Sequence, residues 1–262
     1  MTVQPSTALI TGASTGIGAT YAARLAARGH DLLLVARDLQ RLEALAGQLR
    51  GDYGVQVEVI KADLTHKPDL LALEQRLRTD ARIGLLVNNA GVAMQGNLVD
   101  SDQDEVDRMA QLNILAVTRL AAAAAVNFSA LGRGAIINLA SVVAFIPERF
   151  NAAYTAGKAY VLSLSQSLHV ELAGSGVQVQ AVLPGVTRTE IWQRSGGDVA
   201  QIPAHMVMEV GEMVDAALAG FDQGEAVTIP ALPDVGQWQA FMAARQAMGP
   251  GLSLDHAAQR YK

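Results

Sequence analysis

The order of apolar and polar positions changes period repeatedly along this chain. Short runs in which nearly every residue is apolar are TALIT (7–11), LLLVA (32–36), VQVEVI (55–60), IGLLVN (83–88), AIINLA (135–140), VQVQAVL (177–183) and AVTI (226–229). Most are continuous rather than alternating, as expected for strands of a parallel sheet covered on both faces. Between them lie stretches whose apolar positions recur every three or four residues, for example ATYAARLAARG (19–29) and DLQRLEALAGQLR (38–50), which read as amphipathic helices. Gly29 supplies a stop for the first and Asp38 an N-cap for the second. Repeated β-α-β units with no shift of composition predict one doubly wound α/β domain over residues 1–262, a parallel sheet flanked by helices. The regularity fails at about residues 184–210. A long irregular insertion in a compact domain is usually functional.

Composition narrows the possibilities. Half of the 262 residues are hydrophobic, 17 % are charged and the net charge is −5. A weakly acidic surface argues against nucleic-acid partners and against an anionic-membrane patch. The absence of cysteine removes disulfides, thiolate metal sites and cysteine nucleophiles. Histidines 30, 66, 169, 205 and 256 show no mutual ligand spacing, so no metal site is expected. The opening MTVQPSTALITG lacks the basic start and long apolar run of a signal peptide. The alanine-rich LAVTRLAAAAAVNF is interrupted by Arg119 and Asn127 and reads as too short to span a bilayer. A cytoplasmic protein is expected.

The segment TGASTGIG, Thr11 to Gly18, joins the first strand to the first helix. Gly12 would permit a tight turn, Gly16 close approach of a ligand, and Gly18 close packing of helix on strand. With Ser14, Thr15 and Ile17 they would present backbone N–H groups to a pyrophosphate at the helix start. The spacing G-x-x-x-G-x-G is neither G-x-G-x-x-G nor a P-loop, and alone a glycine-rich turn is as well explained structurally. The second strand ends in Ala36, which offers a ribose no acceptor, followed by Arg37, which suits a phosphate. That pair favours NADP(H) over NAD(H), against the plainer reading of a solvated loop arginine. Arg41 would reinforce the phosphate site.

The chain has four lysines, and Lys158 stands four residues after Tyr154, on the same face of a helix. A surface aromatic beside a solvated lysine would look the same.

Taken together, the motifs resemble the single-domain branch of the short-chain dehydrogenase/reductase family over nearly the whole chain. The matching pieces occur in family order: Thr11–Gly18, Asp63, NNAG (88–91), Asn113, Ser141, Tyr154-x-x-x-Lys158 and PGVTRT (184–189). The resemblance implies a Rossmann-like fold that binds a nicotinamide dinucleotide and interconverts alcohols and carbonyls. It implies a catalytic set of Asn113, Ser141, Tyr154 and Lys158. Tyr154 would exchange the proton, with its pKa lowered by the Lys158 ammonium. Ser141 would bond the substrate oxygen and Asn113 would hold a water leading to Lys158. Lys158 and Tyr154 would also meet the cofactor. Asp63 and Leu64 would contact adenine, Asn89 the adenosine ribose, and Val186 and Thr189 the carboxamide. Thr15 departs from the basic residue that many NADPH-dependent relatives carry there.

The substrate would be a small carbonyl or alcohol compound, apolar in character, enclosed by Met94, residues 142–150 and a loop at about 186–210. Candidates are Val143, Phe145, Pro147, Phe150, Ile191, Trp192, Met206 and Met208; the two methionines would equally serve to dock the loop. Arg149 and Arg194 read as solvated. The alternatives are an NADH-linked alcohol dehydrogenase and a non-catalytic cofactor-binding regulator. Excess small apolar residues in 111–131, together with family precedent, imply a homodimer or homotetramer.

Overall fold

The computed structural model describes residues 6–262, apart from the side chain of Arg194. The chain separates into two compact units, one ending at Pro230 and one spanning Ala231–Lys262, although composition does not shift at that boundary. In the first unit, seven strands form one parallel sheet in the order β3-β2-β1-β4-β5-β6-β7. They are β1 (Thr7–Thr11), β2 (Leu32–Ala36), β3 (Val57–Lys61), β4 (Ile83–Asn88), β5 (Gly134–Leu139), β6 (Val177–Val182) and β7 (Val227–Thr228). The helices are α1 (Gly16–Ala27), α2 (Leu39–Tyr53), α3 (Lys67–Thr79), α4 (Gln103–Ala110), α5 (Val117–Leu131), α6 (Ala152–Glu171), α7 (Ile191–Arg194) and α8 (Val210–Asp222). The second unit is built on α9 (Val235–Ala247), where the Trp238 and Phe241 rings stack with centroids 5.6 Å apart.

The apolar runs are continuous because successive strand residues enter two different cores. Ala8, Ile10, Leu32, Leu34, Leu85 and Val87 pack with α1, α2 and α8; Leu9, Leu33, Val35 and Leu86 pack with α3 and α5. Strand order reverses between β1 and β4, and ligands of open α/β sheets bind outside the carboxyl ends of strands at such a point.

Two expectations change here. Residues 111–116 are a π-helical turn joining α4 to α5, so helix runs without a break over Gln103–Leu131. Those 29 residues are long and apolar enough to cross a membrane, not too short. Their apolar character has another cause: Leu120, Ala121, Ala123, Ala124 and Phe128 are buried with Leu73 and Leu77 of α3. The same burial removes those alanines from any face between subunits. The large apolar residues exposed on α5, the π turn and α6 are instead Leu115, Val126, Tyr160 and Val170.

Candidate active site

Three strand ends deliver the candidate groups to one edge of the sheet: β1 leads into the glycine loop, β4 into Asn89, and β5 into Ser141. Gly12 and Gly16 adopt φ of 66° and 55°, a region that L side chains rarely enter. Gly18 is required for a different reason. A Cβ there would lie 2.3 Å from the Gly12 carbonyl oxygen and 2.5 Å from Asn89 Nδ2. Asn89 Nδ2 donates to the carbonyls of Thr11 at 2.9 Å and Gly12 at 3.2 Å, so its amide nitrogen braces the loop. Asn89 and Ala90 N–H groups both donate to Thr11 Oγ1 at 3.0 Å.

The residues fit a dinucleotide. Helix α1 begins without a side-chain cap and has no acidic residue in its first turn, leaving open amides at the positive end of its dipole. Across the groove a Cβ on Gly16 would come within 3.3 Å of Thr189 Cγ2, so the glycine keeps the helix start clear of Thr189. Arg37 is 73 % exposed, with Nη1 3.9 Å from Asp63 Oδ2. Asp63 Oδ1 accepts from Thr65 N–H and Oγ1 at 2.9 and 2.7 Å, leaving Oδ2 to face Arg37. Leu64 is buried. Arg41 departs from expectation: Nη1 contacts both Glu190 oxygens at 3.1 and 2.8 Å, so it is held by a carboxylate rather than presented to a phosphate. The Val186 carbonyl accepts from Met208 N–H at 2.9 Å.

Helix α6 carries the phenol and the ammonium on one face, with Lys158 Nζ 5.9 Å from the centre of the Tyr154 ring. Nζ donates to the Leu139 carbonyl at 2.8 Å. Burial pushes the Tyr154 phenol up to about 12 and the Lys158 ammonium down to about 8. The direction for Tyr154 is opposite to the expected one. Displacement of water from the phenolate outweighs the nearby ammonium, and in the protein alone the phenol stays protonated. Ser141 Oγ donates to the Pro184 carbonyl at 3.3 Å and accepts from Val143 N–H at 3.4 Å. Asn113 is buried, and both ends of its amide are used. Oδ1 accepts from Val92 N–H at 3.0 Å and Nδ2 donates to the Val92 carbonyl at 2.8 Å.

The loop at 186–210 is closed at its base by a bridge between Thr187 and Met208. Met208 packs against the core, whereas Met206, Phe150 and Pro147 are exposed. Trp192 Nε1 donates to the Thr187 carbonyl at 2.9 Å. The Arg194 side chain lies outside the described residues, and no group of histidine and acidic residues able to hold a metal occurs among those described.

Sequence reading missed Asn151. It is 3 % exposed, and its Oδ1 accepts from the N–H groups of Ala153 and Tyr154 at 3.1 and 3.2 Å. The available signal was an asparagine immediately before a helical pattern.

Comparison with known proteins agrees with this geometry. Residues 6–199 match the family model described as short chain dehydrogenase. The structure of a short-chain dehydrogenase from Sphingobium yanoikuyae in complex with NADPH is 56 % identical. It superposes with a TM-score of 0.96, covering 99 % of this chain and 100 % of that one. A bulky-bulky ketone specific alcohol dehydrogenase from Comamonas testosteroni is 49 % identical, with a TM-score of 0.90 and 98 % of each chain covered. The very-long-chain 3-oxoacyl-CoA reductase of Anas platyrhynchos is 32 % identical over 189 residues, 70 % of this chain and only 60 % of the relative. This chain belongs to the short-chain dehydrogenase/reductase family of oxidoreductases.

Proposed function

We propose that the protein is an NADPH-dependent carbonyl reductase, running in reverse as an alcohol dehydrogenase. The observation that carries this reading is the Tyr154–Lys158 face of α6, tied by Lys158 Nζ to the carbonyl of Leu139, two residues before Ser141, while α1 opens uncapped after β1. The glycine loop, with Asp63, Leu64, Asn89, Val186 and Thr189, would hold the dinucleotide, and Arg37 would meet its 2′-phosphate. When bound, the nicotinamide supplies or takes up the hydride. NADPH is supported by the Ala36–Arg37 strand end and by the ligand of the Sphingobium relative.

Within this chain, Ser141 Oγ would turn from the Pro184 carbonyl to the substrate oxygen and support the charge developing there. Tyr154, held protonated by burial, is suited to donate its proton to that oxygen, and Lys158 would stabilise the phenolate left behind. Because the phenol must first lose its proton to act as a base, alcohol oxidation should need higher pH than ketone reduction. The Comamonas relative and the apolar Met94, Val143, Phe145, Ile191 and Trp192 support a ketone with apolar substituents. We place the protein in the cytoplasm. A homodimer or homotetramer would use Leu115, Val126, Tyr160 and Val170, and sedimentation decides this directly.

Ketone-dependent oxidation of NADPH, and to a smaller extent NADH, is expected across a panel of aryl and branched ketones. Tyr154→Phe should lower turnover by at least about a thousandfold with NADPH binding retained. Substantial turnover in that variant would refute the mechanism.

A further inference from the structure

We propose that Asn151 is a positioning residue for the Tyr154 phenol, coupling the loop at 92–101 and, through it, the substrate loop to the first turn of α6. The proposal rests on the reading of Tyr154 as the proton donor. Asn151 uses its amide in two directions. Oδ1 caps α6 by accepting from Ala153 and Tyr154 N–H, while Nδ2 donates to the Gly96 carbonyl at 3.3 Å and Ser101 Oγ at 3.2 Å. At the tip of the same loop Gln95 Nε2 donates to Ser195 Oγ at 3.3 Å, on the substrate loop. A Cβ on Gly197 would stand 3.1 Å from that Gln95 nitrogen, so the two loops are closely apposed. The start of the loop is held at Val92 by Asn113.

A buried asparagine therefore fixes each end of one loop, and a polar path runs from Ser195 through Gln95, Gly96 and Asn151 to the Tyr154 amide. Tyr154 is the third residue of α6, so a shift of the cap moves the phenol. A cap alone would be equally well made by serine or aspartate. Only asparagine, among the good caps, adds a donor that reaches the loop.

Asn151→Ser keeps a neutral capping oxygen and loses the reach to Gly96 and Ser101. Ser101→Ala leaves the cap intact and removes one partner of Nδ2. Each is compared with the unaltered protein and with Tyr154→Phe by melting temperature, NADPH affinity, amide exchange of residues 92–101, kcat and KM. The phenol is followed by ultraviolet difference titration against Tyr154→Phe. We expect faster exchange at 92–101 and a kcat lowered about tenfold in Asn151→Ser and two- to fivefold in Ser101→Ala. NADPH affinity should not change. Water entering the loosened helix start should move the Tyr154 midpoint down toward the ordinary value of about 10. If Asn151→Ser does not fold, Ser101→Ala decides alone. Native kcat and native phenol midpoint despite faster loop exchange would overturn the proposal. If Tyr154→Phe itself remains active, the underlying reading of the proton donor fails instead.

Discussion

Helices α1 and α6 both begin at the carboxyl edge of the sheet, and their first turns are finished in opposite ways. At α6, Asn151 closes two amides with one buried side chain. At α1, Thr15 closes none, and no acid stands in the first turn. Helices α3 and α8 also start without a side-chain cap, but each carries an acid there, Asp69 and Glu212. Among the described helices of eight residues or more that start from non-helical backbone, α1 alone has neither. A missing cap costs about 1 kcal/mol. Water or a ligand must satisfy those amides instead, and in the function proposed above the open end would receive the pyrophosphate of the dinucleotide. The closed end marks where a side chain must be aimed.

The comparison can be broken most directly at Thr15. Thr15→Asp would cap α1 and place a negative charge at the positive end of the helix dipole. Calorimetric titration should show NADPH affinity falling by roughly a hundredfold while the melting temperature of the free protein rises by a few degrees. Unchanged affinity would mean that the open amides serve no anion. A smaller loss, about ten- to a hundredfold for NADPH with NADH little affected, is expected of Arg37→Ala, since a charge-assisted contact is worth roughly 1.5–3 kcal/mol. Equal loss for both cofactors would remove Arg37 from the phosphate.

The smallest effect concerns the α6 side and is read in stability. Lys158 is lowered to about 8 in the folded protein from an ordinary value near 10.5. Below pH 8 the ammonium is charged in both folded and unfolded chains, and its burial opposes folding. Between about 8 and 10.5 the unfolded chain binds more protons, so stability rises with pH, and above that range the penalty is gone. Lys158→Met should therefore raise the melting temperature at pH 7 by about 3–6 °C, allowing for the lost bond to Leu139. The gain should shrink steadily toward pH 10.5. A gain independent of pH would mean that packing, not charge, is responsible.

Much of this architecture was legible because burial on both faces leaves strands as uninterrupted apolar runs. Strands β1, β2 and β4 lie where the pattern puts them, and β3, β5 and β6 shift by a residue or two. The strand at 226–229 shortens to Val227–Thr228, an edge with a single neighbour. Other features left no trace. A single π turn displaces the apolar spacing by only about one residue, too little over 111–116 to be told from the helix around it. The direction of the Tyr154 shift was misjudged because a sequence shows the neighbouring charge but not the excluded water. Asn113 was found by its place in the motif order, yet its two bonds to Val92 depend on a loop whose path no periodicity encodes. Arg41 and Glu190 are 149 residues apart in sequence, too distant for local pattern to suggest that one occupies the other.

The bridge between Thr187 and Met208 has a consequence for how such a chain can diversify. Because the loop leaves and rejoins the body at adjacent points, its length can change without moving that base, so long as the bonds of Glu190 to Arg41 and of Ser195 to Gln95 are kept. Once the base is fixed, doubling the length between those points adds only about 0.6 kcal/mol of closure entropy. Residues inserted between those points would therefore leave the sheet, the glycine turn and the α6 cap in place.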